Sequence, residues 1–313
     1  MSSWLSVILF AVGILLVVKG GDWFVDAASW IARAANIPPF IIGATIVSLA
    51  TTLPELIVSI TASVQGKNDM AVGNAIGSVT ANTGLILALA FLFMTVVAPR
   101  KKYLKQSLIL IAAAAILWVG SLGGSVQFWA MIALAVLFVL FIAINIREAK
   151  QEPEEEEEKP ACTRKDVVRN ILLFVVGAAG IVLGSNLLVD CGSDIATALG
   201  VPERVIAVTM VAVGTSLPEL VTTLTAIRKK QANLSAGNVI GANIIDLALI
   251  LPVCSLVSGG SFAVSAASLR FDFPACLLVT LIAVVPLLIK EKGYKWQGGL
   301  LLAAYVAYLV VTL

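Results

Sequence analysis

The chain has 313 residues, of which 59% are hydrophobic and 13% are charged, whereas a soluble domain has about 25% charged residues. It contains no histidine, which excludes histidine metal ligands, Ser-His-Asp catalysis and histidine proton relays. The formal net charge of +2 gives no indication of a nucleic-acid partner.

Apolar runs of 18 or more residues recur along the whole chain and predict an all-α, multi-pass membrane protein. We expect ten transmembrane helices. The predicted spans are 4–24, 40–65, 71–97, 104–122, 127–146, 168–189, 203–227, 234–256, 269–289 and 297–313.

The second predicted span contains a proline next to a carboxylate, Pro54-Glu55. Pro54 deprives the Ala50 carbonyl of its helical partner, and a charge at the centre of a membrane helix costs roughly 2.5–3.5 kcal/mol. Thr51 and Thr52 lie one turn before Glu55 on the same side of the helix. Because freed carbonyls at membrane depth are tolerated where they line a cavity, this pattern predicts an ion site built from oxygen atoms.

The third predicted span adds a polar stripe. Asn74, Ser78 and Asn82 are spaced by four residues and therefore share one helix face. Such side chains either bind an ion or hydrogen-bond to neighbouring helices, and both alternatives stay open for Asn74 and its counterpart Asn238.

An acidic run from Glu152 to Glu158 follows the fifth predicted span. We interpret residues 147–167 as a solvated cytoplasmic linker, with a calcium-sensing strip as the alternative. The linker separates a first five-helix repeat, residues 1–146, from a second, residues 168–313.

The second half repeats the first at a constant offset of 164 residues. Thr51–Glu55 recurs as Thr215–Glu219, and Gly73–Gly77 recurs as Gly237–Gly241. The repeated signature regions cover about 40–90 and 203–255. Because the same offset holds across polar, glycine and proline positions, we infer an internal duplication.

Loop charges predict the orientation of the repeats. With the N-terminus outside, 18 of the 21 basic residues fall on the cytoplasmic side, as the positive-inside rule requires. Both termini are then outside. Because five spans per half is an odd number, the second repeat is predicted to be inverted, which is the architecture of secondary transporters.

Together the halves supply three intramembrane acids, Glu55, Glu219 and Asp246, the last of which replaces the matched Asn82. All-oxygen ligands of this kind suit Ca²⁺ or Na⁺. A protonated, hydrogen-bonded Asp246 is the alternative to an ionised ligand. Four further acids near predicted span ends are expected in caps or loops: Asp22, Asp26, Asp190 and Asp194.

The two repeated phrases resemble the signature of the cation/calcium exchanger superfamily, specifically its prokaryotic sodium/calcium exchangers. The second copies read Gly214-Thr215-Ser216-Leu217-Pro218-Glu219 and Gly237-Asn238-Val239-Ile240-Gly241-Ala242-Asn243. The resemblance implies four cation sites between the second, third, seventh and eighth spans.

By position, the resemblance places Glu55 and Glu219 at a central calcium site, with the carbonyls of Thr51 and Thr215. It implies sodium ligands on both sides of that site: Ser48, Thr52 and Ser78 on one side, and Ala212, Thr215 and Ser216 on the other. It places Asn82 and Asp246 at the middle position. The chain departs from the family at Ala242, which lacks the hydroxyl of the matched Ser78. This departure leaves the sodium stoichiometry open.

We therefore expect a Na⁺/Ca²⁺ antiporter of the plasma membrane that works by alternating access at a carboxylate site near the midplane. A proton- or potassium-coupled cation/Ca²⁺ antiporter is the nearest alternative, and an ion channel is a more distant one. We expect neither an enzyme nor a cofactor, since Ca²⁺ and Na⁺ would be transported substrates. The sequence leaves the oligomeric state open, a monomer included.

Overall fold

The computed structural model describes residues 3–151, 163–199, 214, 216–259 and 262–312. These residues form helices joined by short segments and two isolated β-bridges, Val97 to Lys292 and Ser125 to Ala263. The all-α expectation is confirmed for this part of the chain.

Residues 3–151 form eight α-helices and two π-helical turns. In chain order these are α1 (Ser3–Ala35), α2 (Pro39–Ile42), π1 (Gly43–Val47), α3 (Ser48–Thr51), α4 (Leu53–Val64), α5 (Asn68–Ala81), π2 (Asn82–Leu87), α6 (Ala88–Phe93), α7 (Arg100–Ser121) and α8 (Phe128–Gln151).

The described residues from 163 onward form six further α-helices and two π-helical turns. They are α9 (Arg164–Ala198), α10 (Leu217–Arg228), α11 (Ala232–Ile245), π3 (Asp246–Ile250), α12 (Leu251–Val257), π4 (Ser268–Asp272), α13 (Phe273–Lys290) and α14 (Lys295–Thr312).

The local structure follows the sequence offset. Helices α4 and α10 begin and end 164 residues apart, and so do α5 and α11. The π-helical turns π2 and π3 begin at Asn82 and Asp246, which are separated by the same offset. Matched residues therefore produce matched helix breaks, even where the residue at the break differs.

Seven helices of the described part are long and apolar enough to cross a membrane. An eighth candidate is the pair Pro39–Thr51 and Leu53–Val64, which is bent by 48° at Thr52. Residues 203–213 and 215 of the predicted span 203–227 lie outside the described residues. The chain is thus a multi-pass membrane protein, and the count of ten spans stays a prediction.

Helices α1 and α9 pack against each other along their length in opposite directions. Gly13 faces Gly184, and Gly20 faces Gly177, so the residue number falls on one helix as it rises on the other. A Cβ at Gly20 would lie 2.8 Å from the Gly177 carbonyl oxygen, closer than a real Cβ approaches. Glycine allows these two backbones to touch, as in other closely packed membrane helices.

The bent pair of the first half packs on α11 of the second half through its N-terminal part, Pro39–Thr51. Two more glycines allow this contact. A Cβ at Gly237 would overlap the carbonyl oxygen of Phe40, and one at Gly241 would overlap that of Ala44. This close approach brings the polar face of α11 next to the break at Thr52.

Acidic residues expected in caps or loops lie instead inside long helices. Asp22 and Asp26 belong to α1, which continues to Ala35, and Asp190 and Asp194 belong to α9. The expectation was wrong because both helices are longer than their apolar cores. Asp194 accepts a hydrogen bond from the Ser6 hydroxyl at 3.0 Å.

Asp22 and Asp26 make ion pairs with the C-terminal end of α10. Asp22 pairs with Arg228, and Lys229 Nζ lies 2.6 Å from Asp26 Oδ1 and 3.6 Å from Asp22 Oδ1. These contacts tie α1 to α10 at one end of the bundle.

Candidate cation site between the two broken helices

Two helix breaks with nearly identical backbone angles position the two glutamates. Thr52 precedes α4 with φ −84° and ψ 4°, and Ser216 precedes α10 with φ −85° and ψ 7°. In each half the proline is the second residue of the new helix, where its missing N–H removes no helical hydrogen bond. Glu55 and Glu219 therefore lie in first turns, where the helix dipole favours negative charge.

The three predicted acids are fully buried. Glu55 is 1% exposed, and Glu219 and Asp246 are 0% exposed. Helix α4, which carries Glu55, packs against π3, which carries Asp246. Each lies on an element that faces the junction of the two halves, so the fold brings the acids together.

Five of the six carboxylate oxygens of these acids have no hydrogen-bond partner among the described residues. They are both oxygens of Glu55, both oxygens of Asp246 and Oε2 of Glu219. Within the described part of the chain, these acids make no ion pair. Because a buried, unpartnered carboxylate is costly, such oxygens indicate either a bound cation or a bound proton.

The remaining oxygen, Glu219 Oε1, accepts a hydrogen bond from the Thr52 hydroxyl at 3.1 Å. The neighbouring Thr51 hydroxyl donates to Asn238 Oδ1 at 3.2 Å. Both bonds run from the break in the first half to the second half. The site is therefore shared between the repeats.

Asn74 is committed to positioning α4. Its amide nitrogen donates to the Glu55 carbonyl at 3.3 Å and to the Ser59 hydroxyl at 2.9 Å. Of the two roles that the sequence left open, the structure supports the structural one for Asn74. In Asn238, the amide nitrogen has no partner among the described residues.

Asn82 and Asp246 each begin a π-helical turn, a local distortion that is frequent at functional sites. Asn82 is buried, and its Oδ1 has no partner in the described part of the chain. The matched amide and carboxylate thus present free oxygen atoms at equivalent positions of the two repeats.

The structure buries four side chains that were predicted to bind through their hydroxyls, on the elements around the breaks: Ser48, Thr52, Ser78 and Ser216. Thr51, predicted to bind through its carbonyl, is also buried. Ser48 donates to the Thr45 carbonyl at 3.1 Å, whereas the Ser216 hydroxyl has no partner among the described residues. Ala212 and Thr215 lie outside the described residues.

No group of three or more Asp, Glu or Cys side chains within the described ranges is arranged to hold one metal ion. A cation bound here would therefore need neutral oxygens in addition to carboxylates. Hydroxyl, amide and carbonyl oxygens are all available at the two breaks, and Ca²⁺ and Na⁺ accept such mixed oxygen sets.

Sequence reasoning missed one polar pair at this junction. Asn243 donates to the Thr83 hydroxyl at 2.8 Å, and its Oδ1 has no partner among the described residues. A signal was present, because Asn243 ends the phrase that resembles the family signature and Thr83 follows Asn82. The first repeat has Val79 at the position matching Asn243, which hid the pair from a comparison of the halves.

Comparisons with known proteins agree with this geometry. The family model described as "Sodium/calcium exchanger protein" matches residues 5–147 and 169–313. The sodium/calcium exchanger MaX1 of Methanosarcina acetivorans is 30% identical over 345 residues, covering 97% of each chain. The inner membrane protein YrbG of Escherichia coli is 36% identical over 316 residues, covering 98% of this chain and 96% of its own.

Solved structures of the sodium-calcium exchanger NCX_Mj have the same fold. The form soaked with zero Na⁺ and Ca²⁺ superimposes with a TM-score of 0.85 at 30% identity and covers 99% of each chain. The matches span both halves and include both helix breaks. This protein belongs to the sodium/calcium exchanger family.

Proposed function

We propose that this cation/Ca²⁺ antiporter exchanges Na⁺ for Ca²⁺ by alternating access at the site between the two broken helices. One observation carries the proposal: five buried carboxylate oxygens, three on the matched residues Glu55 and Glu219 and two on Asp246, have no partner among the described residues. The coupling to Na⁺ is supported by the similarity to MaX1, a sodium/calcium exchanger, and to NCX_Mj, whose structures include forms soaked with Na⁺.

Competition for the same acids would couple the two fluxes. Glu55 and Glu219 cannot serve a full set of sodium ions and one calcium ion together, so the ions bind alternately. If the unloaded acidic site cannot cross, each ion moves only in exchange for the other. An exchange of three Na⁺ for one Ca²⁺ would move one net charge, worth about 2.3 kcal/mol per 100 mV.

The proposed architecture has ten spans in two inverted five-helix repeats, with both termini outside and the acidic linker in the cytoplasm. The opposite directions of α1 and α9 support inversion, since these helices occupy matched places in the two halves. Inverted repeats that meet around a midplane site are the usual basis of alternating access.

The decisive experiment measures radiolabelled Ca²⁺ uptake into proteoliposomes with Na⁺, K⁺ and proton gradients imposed one at a time. We expect an outward Na⁺ gradient to drive uptake, and Glu55→Gln or Glu219→Gln to abolish it. Glu148→Gln is the matched control, because Glu148 pairs with Lys105 away from the site. Full exchange in the Glu55→Gln/Glu219→Gln double variant would refute the assignment.

Proton coupling is the second candidate, and two observations favour it. Ala242 supplies no hydroxyl where the first repeat has Ser78, and the buried carboxyl of Asp246 has no partner among the described residues. Ca²⁺ uptake driven by a pH gradient in sodium-free buffer would select this candidate. Uptake that additionally requires K⁺ would select potassium coupling.

A further inference from the structure

A polar cavity of about 570 Å³ lies at the end of the bundle where α1 is tied to α10. Its lining comes from the C-terminal third of α1, from Asn170 of α9 and from the segment that joins α10 to α11. We call it the α1–α10 cavity. It lies on different residues from the cation site, and nothing in the proposed exchange uses it.

The position of the cavity corresponds to the headgroup layer of a membrane. Helix α1 has 33 residues, which at 1.5 Å per residue makes it about 50 Å long, whereas the hydrocarbon core is only about 30 Å thick. Since α1 begins with apolar residues around Trp4, its last third extends beyond the core. Trp30, which lines the cavity, is the residue type enriched at that interface.

The charges around the cavity favour an anion. Arg33 and Lys229 line it together with one acid, Asp26. Asp26 is 65% exposed and is already paired with Lys229, so water and that pairing weaken its repulsion of an incoming anion. Arg228 and Lys230 flank Lys229 in sequence; Arg228 and Lys229 are balanced by their ion pairs with Asp22 and Asp26, so Lys230 supplies the added positive charge at this end of α10.

An unpartnered donor provides a second, independent sign of a ligand. Ser29 lines the cavity, is 6% exposed, and its hydroxyl has no partner among the described residues. Asn170 and Gln231 also line the cavity, and the Asn170 amide nitrogen donates one of its two hydrogens to the Asp166 carbonyl at 2.9 Å. Two cations, a buried hydroxyl and amide donors match the needs of a phosphate group, which accepts several hydrogen bonds.

We propose that the α1–α10 cavity binds a phosphate group, supplied by the headgroup of an anionic phospholipid. Basic pockets between membrane helices on the cytoplasmic side are suited to such headgroups, and the loop charges of this chain assign this end to that side. A headgroup held there contacts α1 and the α10–α11 segment together and adds to the ion pairs between them.

The test uses the full-length chain in mixed micelles and native mass spectrometry. Phosphatidylglycerol is titrated in one arm, phosphatidylcholine in the second and inorganic phosphate in the third. We expect a saturable phosphatidylglycerol adduct and a raised melting temperature in that arm, since a ligand that binds the folded state stabilises it. Phosphatidylcholine and inorganic phosphate are expected to produce neither effect.

Variants then locate the bound lipid. Arg33→Gln should weaken phosphatidylglycerol binding about fivefold, as expected for the loss of one cation near an anionic headgroup. Ser29→Val tests the same cavity without changing the charge and should also weaken binding. Lys101→Gln, an exposed cation at the start of α7, should bind like the parent chain. Melting temperatures in phosphatidylcholine alone verify that each variant is folded.

Three results would overturn the proposal. The first is equal binding of phosphatidylglycerol and phosphatidylcholine, and the second is unchanged phosphatidylglycerol binding in both Arg33→Gln and Ser29→Val. The third is displacement of the lipid by inorganic phosphate, with a rise in melting temperature equal to that produced by phosphatidylglycerol. That result would assign the cavity to a soluble anion. Since the readout is lipid binding, the result does not depend on which ions are exchanged.

Discussion

The Thr52 hydroxyl and the Glu219 carboxylate are joined by a hydrogen bond of 3.1 Å, although the two residues are 167 positions apart in the chain. Thr52 is the residue at which the first-half helix breaks, and Glu219 lies in the first turn after the matched break. The candidate site therefore draws on both repeats.

This bond leads to a prediction for Thr52. Thr52→Val removes the donor and should weaken the apparent Ca²⁺ affinity by about tenfold or more, since a hydrogen bond to a charged group contributes roughly 1.5–3 kcal/mol. Thr52→Ser keeps the hydroxyl and should behave like the parent chain, because the matched position is Ser216. Ca²⁺ dependence of uptake in proteoliposomes measures both. Equal affinity in the two variants would show that the bond does not support the site.

Gly237 should be sensitive to the smallest substitution. Gly237→Ala places a Cβ against the Phe40 carbonyl oxygen, so the contact between the broken helix and α11 must open. Overpacking of this kind typically costs about 1–3 kcal/mol, and we expect a lower melting temperature in detergent.

Gly299 is the matched control for Gly237. It lies on the exposed side of α14, where an added Cβ meets no described atom within 4 Å. Gly299→Ala should leave the melting temperature unchanged or raise it slightly, because alanine is favoured over glycine in a helix by up to about 1 kcal/mol. If Gly237→Ala melts at the same temperature as Gly299→Ala, the close packing of α11 is refuted.

The opposite directions of α1 and α9 can be tested by cross-linking. In a background without the four native cysteines, Ser6→Cys with Asp194→Cys should form a disulfide or react with a short bifunctional reagent, since these side chains are in hydrogen-bond contact. Ser6→Cys with Arg169→Cys should not react, because Arg169 is about 37 Å from Asp194 along α9. Mass shifts after protease cleavage in the linker report the outcome. The reverse pattern would exclude antiparallel packing.

The unequal repeats predict a gain of function at Ala242. Ala242→Ser adds the hydroxyl that Ser78 supplies in the first repeat, and it should raise the apparent Na⁺ affinity about two- to tenfold, the range for one net hydrogen-bond-like interaction. Ser78→Ala should lower it. Na⁺ inhibition of Ca²⁺ uptake measures the effect.

The control for Ala242 is Ala236→Ser, which is also buried on α11 but lies six residues away and therefore on another face. It should leave the Na⁺ dependence unchanged. An unaltered Na⁺ response in Ala242→Ser would mean that this position does not contact a transported ion.

Much of the candidate site could be proposed from sequence because its residues are expensive in a membrane. A buried glutamate beside a proline has few structural explanations, so Glu55 and Glu219 were identified without coordinates. Helix ends were predicted less well. Hydropathy marks only the apolar part of a helix, and α1 and α9 extend past it through Asp22 and Asp194 into polar surroundings.

The sequence by itself determined that the chain is a duplicated, multi-pass membrane protein with two matched helix breaks, since proline, glycine and charge at a regular offset act locally. Only the tertiary structure decided three hydrogen bonds: Thr52 donates to Glu219, Asn74 donates to the Glu55 carbonyl of α4, and Asn243 donates to Thr83. These contacts join residues far apart in the chain, and they depend on backbone approaches at glycines whose partners no local pattern identifies.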